Sequence, residues 1–549
     1  MLSLRFRSRA ALAAILVLSA TLAVAKSDRP APSGSRQEAL CATTPERMRN
    51  AYARSLYRGS LERLEALSRP ARAATPEPRA ADTGDVAVVE DDGSIVVGAN
   101  GWDLSGKSFR FEPASSTEYR VVSTSSTFSA AGGTALLLGD DDSRSIALGF
   151  GFTFFGTTYT SVFFNSDGNL TFEASDKDST ERDLSRFTSG SPRIGPFFAD
   201  LDPSFGSTAT RTESDGVVFI WSGVPYFDTN LTNSFSVKLF RSGNIEFVYG
   251  TARLDTQTPQ STIVGIAPGS NRGTINGVKF SRDLPTANLG GAIVEIFTSL
   301  SEFSEFALAK KFFQTHPDDF DHLIVFIAFD FAGAPFDTAF AYELNARNEI
   351  AGVGNSNPIQ SSGPIYDYTD FFGSSGRLRS FVNMGPLSGG GRYPDDPNQI
   401  FFGTNNTVDI LGQESGHRWL AYLRLQSGLA GSTTALLGRD NAHWSFFFDS
   451  DASVMEGNDI QDRGGEMGST RYLTVDGTSR YSLLDQYVMG LAGKDDVPPM
   501  FVVQSPTGTT RRPASSPQIG VTFGGVRSDV TIDDIIAANG PRVPLSQAA

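Results

Sequence analysis

The segment at residues 409–425 carries the letters Q-E-S-G-H on a predicted helix, and its side chains could hold a metal ion and activate water. Side chains four residues apart face the same way on a helix, so Gln413 and His417 are expected to project together with Glu414 beside them. In H-E-x-x-H this geometry gives zinc two imidazoles and supplies a carboxylate as general base. Here an amide replaces the first imidazole, and its neutral oxygen is a poorer zinc ligand. The residues predict either a weakened zinc site or the remains of one.

A further metal ligand must come from a small set of imidazoles. The histidines of the chain are His316, His322, His417 and His443. The extended pattern H-x-x-G-x-x-H/D supplies no ligand, because Leu420 and Leu423 stand where it needs Gly and then His or Asp. His443 is then the best remaining imidazole, and Glu456 and Asp485 follow it in the chain. Each also has a structural interpretation: a hydrogen-bonded core residue, a turn acid and a helix acid, respectively.

Other catalytic signatures are absent from the sequence. It contains no G-x-S-x-G nucleophile elbow and no G-x-x-x-x-G-K-[ST] phosphate loop. Acid pairs are so numerous in this acidic chain that a glycosidase pair cannot be singled out. Metal-assisted hydrolysis is therefore the chemistry that the residues favour.

The Q-E-S-G-H motif lies in a region of mixed secondary structure. S-E-F-A-L-A-K-K-F-F-Q-T-H has helical spacing, and H-L-I-V-F-I-A-F-D-F is a short continuous apolar run of the kind that a buried strand shows. Apolar residues between 411 and 425 indicate a helix around the motif. These patterns predict an α+β domain over residues 300–549, separate from the region before it.

Several short blocks around the motif fit one family. They are F-D-H-L-I-V-F and N-E-I-A-G-V-G-N before it, and D-N-A-H-W-S-F-F-F-D-S-D-A-S-V-M-E-G-N-D-I and Y-S-L-L-D-Q-Y-V-M-G-L after it. With these blocks, residues from about 302 to 549 resemble a secreted bacterial zincin-like metallopeptidase domain. Such domains have an S-x-M turn beneath the metal, which Ser453-Val454-Met455 matches. The resemblance implies zinc as cofactor. The site residues are then the metal ligands His417, Gln413 and His443 and the catalytic base Glu414.

From residue 85 to 299 the pattern changes to short alternating strands broken by Gly, Asn and Asp. Asp167-Gly168 and Ser242-Gly243 lie between runs of period two, which is the signal of a β-hairpin. Many short strands with such turns are typical of an all-β sandwich or barrel. We therefore predict a β domain ahead of the α+β domain.

Blocks within the β region keep a fixed order. They are F-G-x-x-Y-x-x-V-x-x-N-x-x-G-x-L-x-F at 155–172, R-I-G-P-F-F-A-D-L-D-P at 193–203 and N-S-F-S-V-K-L-F-x-x-G-x-I-x-F-x-Y at 233–249. In this order they resemble the extracellular nidogen-type (NIDO) domain over roughly residues 118–299. The resemblance implies a surface or matrix interaction module without chemistry of its own. Its expected partner is an extracellular protein or a matrix polysaccharide.

The N-terminus has the features of an export signal. Arg5, Arg7 and Arg9 precede an apolar run that ends in A-V-A at Ala25, so residues 1–25 follow the order of a secretory signal peptide. No later apolar run reaches the roughly 18 residues that a membrane helix requires, so we expect no membrane span. One cysteine in 549 residues excludes an intramolecular disulfide and favours a bacterial secreted protein.

Residues 26–84 are predicted to form a helix and a linker. Thr44-Pro45-Glu46 supplies an N-cap, a proline at the first helical position and an early acid. Apolar residues then recur at helical spacing up to Pro70, where a Pro/Ala-rich linker begins. The helix is either part of a propeptide or a short helix packed on the next domain.

Cys41, just before this helix, is the only thiol of the chain. A thiolate there could occupy an open zinc position and keep a precursor latent. The alternative is an inert thiol near the start of a helix. The formal net charge of −15 argues against nucleic acid as a partner.

Together these features predict a secreted multidomain protein, with a nidogen-like β sandwich or barrel followed by a zincin-like α+β domain. If the site is intact, the protein hydrolyses peptide bonds with the help of zinc. The alternative is a catalytically inactive pseudopeptidase that serves in extracellular adhesion or matrix binding.

Overall fold

The computed structural model describes residues 41, 43–68, 81–256, 260–331, 333, 340–355, 365–387, 393–426, 431–465, 468 and 470–545. The predicted signal peptide and most of the predicted linker lie outside these ranges. Among the described residues, no helix combines the length and the apolar character needed to cross a membrane.

The part of the chain up to residue 303 is built mainly from strands, with α1 (Pro45–Ser68) before them and α2 (Leu184–Ser189) among them. In chain order the strands are β1 (Val96–Val97), β2 (Ser108–Pro113), β3 (Glu118–Thr124), β4 (Thr134–Leu136), β5 (Ser143–Phe154), β6 (Thr157–Asn165), β7 (Asn169–Thr171), β8 (Arg193–Phe198), β9 (Ser207–Glu213), β10 (Gly216–Pro225), β11 (Thr232–Phe240), β12 (Ile245–Tyr249), β13 (Thr262–Ala267), β14 (Ile275–Gly277), β15 (Leu289–Gly290), β16 (Ala292–Phe297) and β17 (Glu302–Phe303).

Most of these strands belong to two large sheets. The eight-stranded sheet has the order β15-β3-β2-β12-β11-β10-β9-β4, and the seven-stranded sheet has the order β14-β16-β13-β8-β7-β6-β5. Side chains from both sheets meet in one hydrophobic core, for example Phe109 and Phe247 from the first and Phe164 and Ile266 from the second. Two sheets that share a core form a sandwich. This confirms the β-rich architecture predicted for the region.

Aromatic side chains fill much of the sandwich core. The rings of Phe164 and Trp221 lie 4.3 Å apart between centroids, edge to face, and those of Phe109 and Phe280 stack at 4.4 Å. Such pairs contribute about 0.5–1.5 kcal/mol each beyond the area that they bury. The phenylalanine-rich composition therefore serves this core.

Both predicted hairpins are present. β6 and β7 pair through Asn165 and Asn169, and the turn between them contains Gly168 with a φ of 63°. A Cβ on Gly168 would lie 2.0 Å from the carbonyl oxygen of Phe197, so only glycine fits. Gly243, with a φ of 90°, lies in the turn between β11 and β12.

Helix α1 begins where its sequence predicts. The backbone N–H of Arg47 donates to the Thr44 hydroxyl at 3.0 Å, and Pro45 is the first helical residue. A side-chain oxygen that accepts from the first turn satisfies an N–H without an intrahelical partner. The helix thus starts at the local signal T-P-E.

The same helix contacts both halves of the described chain. The backbone N–H of Ile296, in β16, donates to the Tyr57 hydroxyl at 3.1 Å. One turn earlier, the Tyr52 hydroxyl donates to the backbone carbonyl of Asn345 at 2.6 Å. The helix therefore holds the sandwich and the following region together. Its role as a propeptide stays a prediction.

The region from residue 304 mixes helices and strands. Its helices are α3 (Glu305–Phe313), α4 (Thr369–Phe372), α5 (Thr407–Gly416), α6 (Leu483–Met489) and α7 (Ile532–Asn539). Its strands are β18 (His322–Ile327), β19 (Tyr342–Asn345), β20 (Arg347–Asn348), β21 (Tyr366–Asp367), β22 (Ser380–Pro386), β23 (Leu425–Gln426), β24 (Ser432–Thr433), β25 (Asn458–Asp462), β26 (Tyr472–Gly477), β27 (Met500–Thr507) and β28 (Thr522–Val530). A zincin-like fold for this region stays a prediction.

Two sheets organise this second region. β18, β22 and β19 form one sheet in that order, in which β18 runs parallel and β19 antiparallel to β22. The other sheet has the order β25-β26-β28-β27. Helix α5 packs on β22 and β19, so the three-stranded sheet positions the Q-E-S-G-H segment.

The apolar run at β18 was predicted to be a buried strand, but it is buried on one face only. Leu323 and Ile327 pack into a core, whereas Ile324 and Phe326 are 47% and 38% exposed. The strand lies at the edge of its sheet, and its two faces have different neighbours. A continuous apolar run does not reveal which face is covered.

The sandwich contains a buried ion pair centred on Asp176. Arg193 and Arg186 both donate to the carboxylate of Asp176, the latter at 2.7 Å. Burial alone would raise the pKa of Asp176, but the two guanidinium groups outweigh it and lower the pKa to about 2. The carboxylate is therefore charged at neutral pH.

We expect Asp176→Asn to destabilise the protein by about 3–5 kcal/mol at pH 7, because it leaves the buried cation of Arg193 without its anion. The pKa of Asp176 is lower in the folded state than in the unfolded state. The stability that its charge contributes is therefore fully present above about pH 4, near the pKa of an unfolded aspartate. It is lost as the pH falls through about 2. Thermal unfolding between pH 2 and pH 7 measures both effects. A variant that keeps the acid dependence of the wild type would contradict this assignment.

Candidate metal centre

The helix that carries Q-E-S-G-H is α5, and it is shorter than predicted. A capping box of Asn406 and Asp409 starts it. The predicted helix ran to 425, but α5 ends at Gly416 because the chain then turns. The backbone N–H of Ala421 donates to Ala442 at 3.2 Å, so a contact distant in sequence ends the helix.

Gln413, Glu414 and His417 are all buried at the end of α5. The Nδ1 atom of His417 lies 3.0 Å from the backbone carbonyl oxygen of Leu420. A carbonyl can only accept, so in the neutral ring Nδ1 carries the proton and Nε2 offers a lone pair. That Nε2 faces the Sγ atom of Cys41 at 3.1 Å.

His443 has the same arrangement. Its Nδ1 atom lies 3.0 Å from the backbone carbonyl oxygen of Arg439, which leaves Nε2 as the acceptor. Burial, and next the charge of Arg439, lower the pKa of His443 to about 3, so the ring is neutral. The rings of His443 and His417 lie 4.9 Å apart between centroids. The structure thus brings together the two imidazoles singled out from the sequence.

Cys41, in the N-terminal part of the chain, is the third member of this cluster. It forms a parallel β-bridge with Ala341, which places the N-terminal segment beside β19. Among the histidine, cysteine and acidic side chains described, those of Cys41, His417 and His443 bring their ligand atoms within 4.8 Å of one another. Burial raises the pKa of the Cys41 thiol, and the charge of Arg439 opposes this.

Glu414 lies against the same cluster. Its Oε2 atom accepts from the Thr43 hydroxyl at 3.0 Å and from the Cys41 thiol at 3.4 Å. Burial, and next the proximity of Cys41, raise the pKa of Glu414 well above its usual value. Within the described chain, Glu414 Oε1 and Gln413 Nε2 have no hydrogen-bond partner. A buried polar atom without a partner costs about 1–3 kcal/mol, so these atoms mark a site for a polar ligand.

Arg439 is a neighbour that the sequence does not single out. It donates to both carboxylate oxygens of Glu456, at 2.5 and 3.2 Å, and to the backbone carbonyl oxygen of Cys41 at 2.8 Å. It also lies 3.1 Å from His443 Nε2. No motif marks this arginine, and only the fold brings it to the cluster. Glu456, a candidate ligand from the sequence, is the partner of Arg439.

The S-V-M segment lies beneath the end of α5. A Cβ on Gly416 would lie 2.5 Å from the sulfur of Met455, so the two pack closely. The Ser453 hydroxyl accepts from the indole N–H of Trp444 at 3.0 Å and fixes the turn. Asp485 accepts from the same indole N–H and caps α6, so its contacts are those of a helix acid.

The remaining histidines lie elsewhere. His316 Nε2 is 3.2 Å from a carboxylate oxygen of Asp82, and His322 lies in β18 near the ring of Trp419. Among the described residues, His417 and His443 are therefore the histidines that could share an ion, together with Cys41.

The donor set fits zinc. One thiolate and two imidazoles are ligands that zinc prefers. Metal-bound histidines usually donate their other ring N–H to a carbonyl or carboxylate, as both Nδ1 atoms do here. An ion bound to His443 Nε2 would take the place of the contact between that atom and Arg439, whose pairing with Glu456 is separate. The thiolate with Glu414 would balance the charge of the ion.

Comparison with known proteins identifies one domain. Residues 118–301 match the family model described as NIDO related. The match contains β3 to β16 of the sandwich and confirms the resemblance predicted for residues 118–299. No curated protein and no solved structure matches the chain. The predicted zincin-like region has no support from these comparisons.

Proposed function

We propose that the region from residue 300 is a zinc-dependent hydrolase that cleaves peptide bonds, and that Cys41 keeps it latent in the form described. The observation that carries this proposal is the convergence of Cys41 Sγ, His417 Nε2 and His443 Nε2 beside the carboxylate of Glu414. Zinc bound there would polarise a carbonyl group and lower the pKa of water.

The protein's own residues then have distinct roles. His417 and His443 hold the ion, and their Nδ1 hydrogen bonds fix the direction of each ring. That Gln413 offers its amide oxygen as a weak additional ligand stays a prediction from the sequence. Glu414 would act as general base once a bound cation favours its ionised form, and its Oε1 atom has no hydrogen-bond partner in the described chain.

A peptide is the substrate class supported by the surroundings. Cys41 forms a parallel β-bridge with Ala341, the residue before β19. The backbone N–H of Glu343 donates to the Thr43 hydroxyl at 2.7 Å. These two contacts support the proposal that an extended chain binds there along a strand, as in many peptide-binding proteins.

Latency is tested by Cys41→Ala. We expect the rate of hydrolysis of an unfolded protein to rise by at least about tenfold. Each 1.4 kcal/mol by which Cys41 stabilises the closed site reduces the population of open sites tenfold, and the variant removes this stabilisation. Zinc should still bind through the two imidazoles, but more weakly than with the thiolate present. Leu56→Ala, on the exposed side of α1, is the control and should leave the rate low. Equal rates in Cys41→Ala and wild type would contradict latency.

The NIDO-related module has a separate proposed role. We infer that the chain is exported and that this module binds an extracellular protein or matrix polysaccharide. The family match and the predicted signal peptide support this role. The acidic charge of the chain makes nucleic acid an unfavourable partner.

A second candidate function is a pseudopeptidase that only binds its partners. Gln413 stands where an imidazole is needed, and Arg439 already donates to His443 Nε2. Both features favour a site without zinc. The two candidates differ in one measurable property, which is stoichiometric zinc in the purified protein.

A further inference from the structure

Glu456 fixes the orientation of Arg439 beside the cluster of Cys41, His417 and His443. Its Nε and Nη2 atoms donate to the two oxygens of Glu456, which is the two-point geometry that a guanidinium and a carboxylate prefer. Both side chains are buried. Because Glu456 orients the group, the direction of the remaining nitrogen, Nη1, is also set.

That nitrogen has a backbone atom as its nearer partner, and the carboxylate of Asp440 lies 3.4 Å from it. Nη1 donates to the carbonyl oxygen of Cys41 at 2.8 Å, and the Sγ atom of the same residue lies beside His417. A backbone carbonyl is present in every residue, so this contact does not depend on the side chain. Arg439 thus holds the peptide group of the residue that lies at the centre.

We propose that Arg439 binds the carbonyl oxygen of whichever chain lies at the centre: Cys41 in the latent form and the substrate peptide in the open form. The second half rests on the proposed function. The first half does not, because it concerns only the N-terminal segment of this chain.

In the reaction, a water oxygen would add to the carbonyl carbon while Glu414 takes the proton. Negative charge then develops on the carbonyl oxygen, where Arg439 Nη1 donates. The C–N bond breaks, and the amine leaves with the proton returned by Glu414. The products are a carboxylic acid and an amine, so atoms and charge balance.

The latent form gives the first test, in the full chain and without any assay of activity. Arg439→Gln with Glu456→Gln removes the guanidinium and leaves no unpaired buried charge. Reaction of the Cys41 thiol with N-ethylmaleimide should accelerate by about tenfold or more, because a charge-assisted hydrogen bond to the segment is lost. The double variant Arg193→Gln with Asp176→Asn removes a buried pair in the sandwich and is the control, since Arg186 keeps Asp167 as a neighbouring acid. Equal labelling rates in the two double variants would overturn the proposal.

A second variant distinguishes loss of the hydrogen bond from misfolding. Arg439→Lys keeps a cation for Glu456, but a single ammonium lacks the planar fork needed to hold the acid and the carbonyl together. It should also accelerate labelling, with an unchanged unfolding temperature. A labelling rate equal to that of the wild type would overturn the proposal.

The open form gives the second test. In the Cys41→Ala background, the paired Gln variant should lower kcat by about 10²–10³, with little change in KM or zinc content. An unchanged kcat would overturn the catalytic half. If the parent protein binds no zinc, the proposed function fails, and the labelling result still decides whether Arg439 holds the segment.

Discussion

Glu414→Gln is expected to lower the rate of peptide hydrolysis by about 10²–10⁴, the usual contribution of a general base, while zinc stays bound. The amide is nearly the same size as the carboxylate but cannot take a proton. Glu414 lies beside the ligands, and its Oε2 atom is already hydrogen-bonded to Thr43 and Cys41. The comparison is made in the Cys41→Ala background, where the site is open.

Glu295→Gln is the matched control for this variant. Glu295 is equally buried but lies in β16 of the sandwich, where it accepts from the backbone N–H of Phe280. Its substitution should leave the rate unchanged. If Glu414→Gln keeps more than about a tenth of the rate, the carboxylate is not the base. If activity and zinc are lost together, Glu414 is a ligand instead.

His417→Asn should abolish the stabilisation that zinc confers. A ligand present at a hundred times its Kd stabilises the folded state by about 2.7 kcal/mol, and this increment disappears when the ion no longer binds. His417 supplies the Nε2 atom closest to Cys41 and is buried, so no neighbouring imidazole can take its place. Thermal unfolding of metal-free protein, with and without added zinc, measures the difference.

His316→Asn is the control for this experiment. Its ring nitrogen pairs with Asp82, away from the cluster, so zinc should stabilise this variant as it does the wild type. A zinc-dependent rise in unfolding temperature that is the same in His417→Asn and wild type would place the metal elsewhere.

The parts of the fold that were predictable are those set by local sequence. Thr44 and Pro45 start α1, and Gly168 and Gly243 turn their hairpins, because caps and positive φ angles depend on a few adjacent residues. The order of the sandwich blocks was also sufficient to recognise the NIDO-related domain. Local consistency of this kind is common in natural sequences.

The parts that were not predictable depend on distant contacts. α5 ends early because Ala421 pairs with Ala442, and β18 is exposed on one face because of its place in the sheet. Cys41 lies 376 residues before His417, and no spacing rule connects them. Arg439 belongs to no motif. The sequence identified imidazoles with the right chemistry, and the fold determines what surrounds them.

Zinc binding by the full-length protein tests the central claim most directly. Metal-free wild type and His417→Asn are titrated with zinc in a calorimeter at the same concentration and pH. We predict one zinc ion per chain in the wild type and no measurable binding in the variant, because Cys41, His417 and His443 form one site. Negligible heats in both proteins would contradict the metal centre and favour the pseudopeptidase.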